Sequence, residues 1–271
     1  MTIRRLVYEN AGIGKIEYSG STELYLYNMP VIVNYGALYT YAAISHSDNI
    51  AASGWHVSTR SDMESIAETL DPTGSGSTNE AAKYMKESGT TSWLTDASAT
   101  NSSGFSGRGA GIRSSNGDYF LFKSRLGFWH NEIYFDSRPN FFFIYSCAMS
   151  DDHNEFTYND ESITSYQDIG NTNNAQTLAI SCRLVKDSTS LSEGGTGNYV
   201  GNNGKLYNTK VIGGVEILLE NLCETKYRNG NWIPFVESAV SWDTSDYTSD
   251  MMCAPNGVKS NISVDINDYL P

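Results

Sequence analysis

The sequence has few basic residues, and they do not cluster. It contains 18 lysines and arginines against 31 aspartates and glutamates, so its formal net charge is −13 at pH 7. The longest basic run is the pair Arg4-Arg5. A surface of this charge repels the phosphates of nucleic acids and of anionic membranes. We therefore expect no nucleic acid among its partners.

Long apolar runs are also missing. No segment approaches the roughly 20 consecutive apolar residues of a transmembrane helix, so membrane insertion is not expected. Polar residues and glycines between Glu9 and Lys15 interrupt the segment that would form the apolar part of a signal peptide. The sequence therefore favours folding in the cytoplasm of the cell that makes it.

Cysteines are few, and none has the spacing of a metal site. Cys147, Cys182, Cys223 and Cys253 form no C-x-x-C pair and have no histidine at zinc-ligand spacing. We expect free buried thiols, with one or two disulfides as the alternative. The acidic run 151–155 is interpreted as a solvated loop, because adjacent residues in an irregular segment seldom converge on one ion. We predict no metal and no cofactor.

Glycine and tyrosine are abundant instead, at 24 and 18 residues, and Asn, Ser and Thr crowd the segments between short apolar runs. This balance is typical of short strands joined by many turns. An apolar fraction of 39% is enough to build a core. The predicted fold class is therefore α+β, with loop-rich antiparallel sheets and two or three short helices.

Helix signals occur in the first third of the chain. The clearest helix is predicted for 61–70, because Ser61-Asp-Met-Glu64 forms a capping box and the sequence Asp71-Pro72 ends the apolar periodicity. A second box, 77–80, predicts a helix over 81–88, and 35–45 suits a short buried helix. Strands are predicted at 15–18, 23–27, 141–145, 177–185, 205–212 and 262–266.

Six short motifs occur in order over roughly 150 residues. They are YGALYTYA at 35–42, SGWHVS at 53–58, NSSGF at 101–105, GIRSSNG at 111–117, GFW at 127–129 and SCRLVKD at 181–187. Together they resemble the Fibrobacter succinogenes major paralogous domain family, whose members look like distant relatives of C-type lectins. The resemblance implies a C-type-lectin-like fold. Within this fold it implies a structural role for His56 at the start of the helix predicted for 61–70.

The motifs that usually open this family stand at the end of the chain. They are NGKLYNTKVIG at 203–213, ILLENL at 217–222 and TKYRNGNWIP at 225–234. The resemblance therefore implies a circular permutation, which is physically feasible because the termini of compact domains often lie close together. The alternative is a truncated second copy of the domain, which would lack most of its own core.

Two positions depart from the family pattern. Ala52 replaces the cysteine that usually precedes the GWH motif, and Cys182 and Arg183 are transposed relative to the family order. The disulfide that the family pattern implies is therefore absent. A chain without this covalent link is compatible with a reducing cytoplasm, which favours a phage protein over a secreted one.

The predicted organisation has five parts. They are an attachment arm of β structure at 1–29, the main lectin-like part at 30–187, a flexible Gly/Ser/Asn-rich linker at 188–203, the permuted part at 204–257 and a C-terminal strand or tail at 258–271.

The function expected from the resemblance is non-enzymatic, because no nucleophile, base and metal set emerges. Calcium-dependent sugar binding is not expected, since Arg138-Pro-Asn140 and Ala254-Pro-Asn256 lack an acidic partner. The predicted ligand-contacting residues are polar and aromatic: Trp129, His130, Asn131, Tyr134, Tyr158 and Tyr166.

The leading hypothesis is a phage virion protein that recognises the host surface or is displayed on a tail fibre, tail tip or capsid. The arm at 1–29 would contact other virion proteins, a host glycan or protein would be the ligand, and a homo-oligomer such as a trimer is expected. The alternatives are a surface adhesin or carbohydrate-binding protein of a bacterium, and a purely structural decoration or joint protein.

Overall fold

The computed structural model describes residues 3–8, 14–18, 32, 34–74, 80–95, 99–114, 117–134, 138–145, 156–158, 178–236 and 250–255. For 3–8, 14–18, 131–134, 138–145 and 156–158 only the strand backbone is described. The strands are β1 Ile3–Tyr8, β2 Gly14–Tyr18, β3 Leu38–Thr40, β4 Trp55–Val57, β5 Ile112–Arg113, β6 Tyr119–Phe120, β7 Arg125–Tyr134, β8 Arg138–Tyr145, β9 Phe156–Tyr158, β10 Ala179–Ile180, β11 Leu184–Lys186, β12 Thr196–Val200, β13 Leu206–Ile212, β14 Val215–Leu218 and β15 Met252–Cys253. The helices are α1 Tyr41–Ile44, α2 Arg60–Leu70 and α3 Ala81–Met85.

Two five-stranded sheets form the centre of the fold. The first has the strand order β15-β3-β10-β5-β6, and the second has the order β12-β13-β14-β11-β4. Strands β7, β8 and β9 form a third sheet, and β1 pairs with β2. All of these strand pairings are antiparallel. The predicted α+β class, rich in antiparallel sheet and poor in helix, is therefore confirmed.

The core consists of two apolar clusters that lie on opposite faces of the strands. Successive side chains of a strand point to opposite faces. Accordingly Tyr39 and Leu218 belong to one cluster, whereas their neighbours Leu38 and Ile217 belong to the other. Both sheets are therefore covered on both sides where these strands run.

The C-terminal part of the chain shares this core with the middle part. Val185 on β11 pairs with Ile217 on β14, and Tyr39 on β3 pairs with Met252 on β15. All four of these residues are buried. The segments after residue 203 therefore complete sheets that the earlier segments begin, and do not form an independent body.

Helix α2 begins directly after the threonine that caps it. Thr59 is the N-cap: its hydroxyl accepts a hydrogen bond from the Asp62 N–H, and the Asp62 carboxylate accepts one from the Thr59 N–H. The predicted capping box was two residues too late, at Ser61 and Glu64. Asp71 caps the C-terminus, as predicted. Within the described part of the chain, no helix has the length and apolar character needed to cross a bilayer.

The two candidate caps can be separated by substitution. We expect Thr59→Ala to lower the free energy of unfolding by about 1 kcal/mol, because it leaves an N–H of the first turn without its acceptor. Ser61→Ala is the matched control and should change the stability by less than about 0.5 kcal/mol. It removes an exposed hydroxyl that contacts the Thr59 hydroxyl at 3.0 Å, but the Thr59 hydroxyl still accepts from the Asp62 N–H. Urea unfolding of both variants measures the difference. Equal losses would contradict the assignment of Thr59 as the cap.

Three predicted elements differ in the structure. The buried helix predicted over 35–45 is strand β3 followed by the single turn α1, because Leu38 to Thr40 pair with neighbouring strands on both sides. The strand predicted over 177–185 is divided between β10 and β11, which belong to different sheets. The helix predicted over 81–88 ends at Met85, where the backbone of Lys86 becomes extended.

The predicted linker 188–203 also differs, because it contains strand β12. This strand pairs with β13 over five residues. Its Tyr199 is buried, its ring lies 4.8 Å from that of Trp55 (centroid to centroid), and its hydroxyl accepts a hydrogen bond from the Ala52 N–H at 3.0 Å. A single large side chain thus anchors a stretch whose composition otherwise indicates a flexible chain.

Other predictions are partly covered by the description. Strand β2 contains the predicted strand 15–18, and it pairs with β1 among the described strands. Strand β8 contains the predicted strand 141–145, and β13 contains most of 205–212. The segments 23–27, 77–79, 151–155 and 262–266 lie outside the described residues.

Candidate functional site

The structure places the first two predicted contact residues in the core. Trp129 is fully buried, and its indole N–H donates a hydrogen bond to the Tyr39 carbonyl at 2.6 Å. His130 is 1% exposed, and burial lowers its pKa to about 3, so the imidazole is neutral near pH 7. The prediction that these two side chains contact a ligand is therefore corrected: neither reaches the surface.

The other four predicted contact residues lie where no side chain is described. Asn131 and Tyr134 lie on β7 and Tyr158 lies on β9, where the backbone alone is described. Tyr166 lies outside the described residues. A contact surface at these four positions stays a prediction.

His56 connects three elements through two carboxylates. Its Nδ1 lies 2.7 Å from the Asp187 carboxylate, which follows β11, and its Nε2 lies 3.2 Å from the carboxylate of Asp62 in the first turn of α2. The hydrogen bond with Asp62 raises the pKa of His56, burial opposes the shift, and the hydrogen bond with Asp187 adds to it. The side chain is 33% exposed. We call these three residues the histidine clasp.

The histidine clasp is not arranged as a metal site. The two carboxylates bind opposite nitrogens of one ring, so the three side chains do not converge on a common point. Among the described residues, no group of three or more His, Cys, Asp or Glu side chains is placed to hold a metal ion. The position of His56 between α2 and β11 agrees with the structural role inferred for it.

Arg183 is a buried cation that joins the middle and C-terminal parts of the chain. Its guanidinium donates to the carbonyls of Phe105, Ser106 and Leu218 and to the side-chain oxygen of Asn221, at 2.6–3.3 Å. The guanidinium carbon lies 4.3 Å from the centroid of the Phe105 ring. Burial lowers the pKa of Arg183 to about 9, so it is still charged at neutral pH. The four oxygen acceptors therefore compensate this charge. No carboxylate of the described residues lies within salt-bridge distance of the guanidinium.

Glu224 is a buried carboxyl group below the turn that joins β12 and β13. Its Oε1 accepts hydrogen bonds from the N–H groups of Thr225 and Lys226 at 3.0 and 3.2 Å. The backbone N–H groups of Asn202 and Asn203 approach the same carboxyl group. Burial nevertheless raises its pKa to about 7, because these donors only partly offset the loss of water.

The thiols of the described residues are free and buried. Cys182, Cys223 and Cys253 are all fully buried and form no disulfide. Burial raises the pKa of the Cys182 thiol far above its usual value. A thiol of this kind is a poor nucleophile, because the thiolate is the reactive form. Cys147 lies outside the described residues.

An ordered turn displays a polar and aromatic surface at 228–232. Its residues Arg228, Asn229, Gly230, Asn231 and Trp232 are all exposed, and Trp232 is 43% exposed. Backbone hydrogen bonds from Tyr227 to Asn231 and from Gly230 to Tyr227 close the turn. We call this segment the Trp232 turn.

Contacts to the rest of the fold hold the Trp232 turn in place. The Arg228 guanidinium donates to the Ala51 carbonyl at 2.9 Å, and the Asn231 amide donates to the Asp48 carboxylate at 3.2 Å. The Lys226 ammonium lies 4.5 Å from the centroid of the Trp232 ring. The turn is therefore an exposed segment with a fixed backbone, which suits contact with a partner.

Sequence reasoning missed the Trp232 turn as a contact candidate. Trp232 lies in a motif that indicated only the fold, and that motif shows neither the exposure of Trp232 nor its bridge with Lys226 across the turn. The sequence Arg228-Asn-Gly-Asn231 is a strong turn signal that could have indicated a surface position for the following tryptophan.

Comparison with known proteins gives one result. The model of the Fibrobacter succinogenes major domain matches residues 16–186. No curated protein and no solved structure matches the chain. The matched residues include the histidine clasp except for Asp187, and the buried Arg183. Because the match covers more than half of the sequence, the chain belongs to the Fibrobacter succinogenes major domain family.

Proposed function

We propose that this protein is a non-enzymatic recognition protein that binds a partner through exposed loops of a rigid domain. The observation that carries the proposal is the Trp232 turn, which presents a 43% exposed aromatic ring beside exposed asparagines on a fixed backbone. Rigid aromatic side chains and adaptable amides are the residues that binding loops use most. The described ionisable groups His56, Arg183 and Glu224 make structural contacts within the fold. This favours a binding role over catalysis.

We further propose that the fold is C-type-lectin-like and circularly permuted. Support comes from the pairing of β11, which carries the last family motif, with β14, which follows the motif that usually opens the family. First and last strands pair in the lectin-like fold that the family resemblance implies. A rearranged chain that runs from 189 to 255 and then, through a Gly/Ser connector, from 32 to 187 should unfold cooperatively. Loss of cooperative unfolding would count against the permutation.

The proposed setting is the exterior of a phage particle, with a host glycan or protein as the ligand. The free buried thiols support this setting, because they suit a protein that folds under reducing conditions. Mass spectrometry of purified virions of the phage that encodes this protein should detect the chain. Its absence from the particles would remove the virion setting without affecting the proposed binding role.

Binding is tested with the isolated protein on a glycan array and on intact bacterial cells. We expect Trp232→Ala to lower binding at least tenfold, which is the scale of a central aromatic contact. The matched control is Leu94→Ala, since Leu94 is also a large exposed side chain, at 51%, but lies in another part of the chain. Equal loss in both variants would contradict a role for the Trp232 turn. If the natural chain and both variants all fail to bind, the result would favour a joint or decoration protein.

A further inference from the structure

The segment 188–205, which we call the flap, is fixed to the core at each end by an ionisable side chain. It contains the edge strand β12, whose only partner among the described strands is β13. The histidine clasp holds its first end through Asp187, and Glu224 lies below its last turn at 201–204. The two ends therefore depend on protonation independently of each other.

At the first end, the number of hydrogen bonds depends on the charge of His56. A protonated imidazole has two N–H donors, whereas the neutral ring has only one. The protonated ring can therefore donate to Asp187 and Asp62 together, at 2.7 and 3.2 Å. The neutral ring leaves a lone pair facing one of the two carboxylates, so loss of the proton weakens the attachment of Asp187.

No other charged group replaces this proton. Arg60 is engaged by Glu64 at 2.7 Å, Lys186 is engaged by Glu216 at 3.1 Å, and His130 is neutral. Of the described side chains, Asp62 and Asp187 are the charged groups that contact the ring.

At the last end, the flap lies directly on a carboxyl oxygen. A Cβ atom added at Gly201 would lie 2.5 Å from Glu224 Oε2, so this position leaves no room for a side chain. That oxygen is buried and forms no hydrogen bond with the described residues. The Gly201 N–H bonds to the Lys205 carbonyl at 2.8 Å, and the Asn203 amide bonds to the Cys223 carbonyl at 3.0 Å. An ionised Glu224 therefore places a buried negative charge against the turn, and the backbone N–H groups that approach the carboxyl group offset its loss of water only in part.

Three cations of the segments that pack near Glu224 have other partners. Lys205 pairs with Glu220 at 2.7 Å, the ammonium of Lys226 lies over the Trp232 ring, and Arg228 donates to the carbonyls of Ala51 and Ala52. The other ionisable groups around it are the tyrosines Tyr39, Tyr199 and Tyr207 and the neighbouring Cys223, all of them buried.

We propose that the flap is a pH-responsive element, held closed by His56 and Glu224 at mildly acidic pH and opened more often as the pH rises above neutral. Both groups act in the same direction. Raising the pH removes one of the two N–H protons with which His56 bridges Asp62 and Asp187. It also creates a negative charge on Glu224 below the turn. Since β12 lies at the edge of its sheet, opening breaks its pairing with β13 and leaves the other four strands paired. This inference does not depend on the proposed binding function.

Hydrogen exchange of the full chain measures the opening directly. Exchange is recorded by mass spectrometry at pH 5.5 and pH 8.5, and the rates are corrected for the intrinsic pH dependence of amide exchange. We expect the protection of peptides that cover 196–212 to fall at least tenfold at the higher pH. Peptides that cover β5 and β10, in the other sheet, are the internal reference and should change less than about twofold.

Two variants assign the effect to the two groups. Glu224→Gln retains an oxygen acceptor and cannot ionise, and His56→Gln is neutral at both pH values. We expect each variant to reduce the pH difference and the double variant to remove it. Equal protection of the natural chain at the two pH values would overturn the proposal. So would a full pH difference in the double variant, or an equal loss in the reference peptides. The natural chain alone tests the proposal if a variant does not fold.

Discussion

A chain that ends at Asp187 is expected not to fold, although it contains every residue that the family model matches. The truncation removes core residues of both clusters: Tyr199, Tyr207, Ile212, Ile217, Leu218, Leu222, Cys223, Tyr227, Ile233, Met251, Met252 and Cys253. Burying one large apolar side chain contributes about 1.5–3 kcal/mol. The loss therefore exceeds the roughly 5–15 kcal/mol of net stability of a typical domain.

Circular dichroism and urea unfolding measure this result. A chain of residues 1–187 should show no cooperative transition. Addition of a second polypeptide, residues 188–271, is the matched control, and it should restore the transition if the two parts share one core. A cooperative transition of the 1–187 chain alone would contradict the shared core and would favour the truncated second copy.

Replacing Arg183 with leucine is expected to lower the free energy of unfolding by about 3–5 kcal/mol. Leucine has a similar apolar volume, but it leaves the carbonyls of Phe105, Ser106 and Leu218 and the Asn221 amide oxygen without their donor. Buried acceptors without a partner each cost about 1–3 kcal/mol. Because three of the four acceptors belong to the backbone, repacking of side chains cannot remove them.

Urea unfolding of the variant, followed by tryptophan fluorescence, checks the expected loss. Arg60→Leu is the matched control, since Arg60 forms a half-exposed ion pair with Glu64 on the surface of α2. Such a pair contributes less than about 1 kcal/mol. A loss of less than about 1 kcal/mol for Arg183→Leu would mean that the guanidinium is not essential to the junction of the two parts.

Local signals predicted the elements of this fold better than their boundaries. Helix α2 was predicted from its apolar spacing, yet the cap was placed at Ser61 because Thr59 and Asp62 depart from the usual threonine and glutamate pair. Strand β12 was missed because only Tyr199 distinguishes its segment from a linker. The run 177–185 was predicted as one strand, since no local signal shows that an apolar segment passes from one sheet to another.

The prediction that Trp129 contacts a ligand was wrong because its motif does not show whether the side chain is exposed. Trp129 and Trp232 are both tryptophans in motifs of the family, but one is fully buried and the other is 43% exposed. Motif resemblance identifies residue type and order, and exposure depends on which other segments cover a side chain. Trp232 lies in a turn that its bridge with Lys226 closes, and the tertiary structure leaves its ring exposed there as a contact candidate.

The sequence by itself determined the family, the α+β class, the position of α2 and the free character expected of the thiols, because these depend on local patterns and on composition. The family resemblance also implied that residues after 203 complete the lectin-like domain. The tertiary structure alone decided that Arg183 is a buried cation and that His56 and Glu224 hold the ends of the flap. These properties arise from contacts between residues such as Arg183 and Phe105, or His56 and Asp187, that are far apart in the chain. No local pattern records them, because burial and protonation are set by neighbours that only folding brings together.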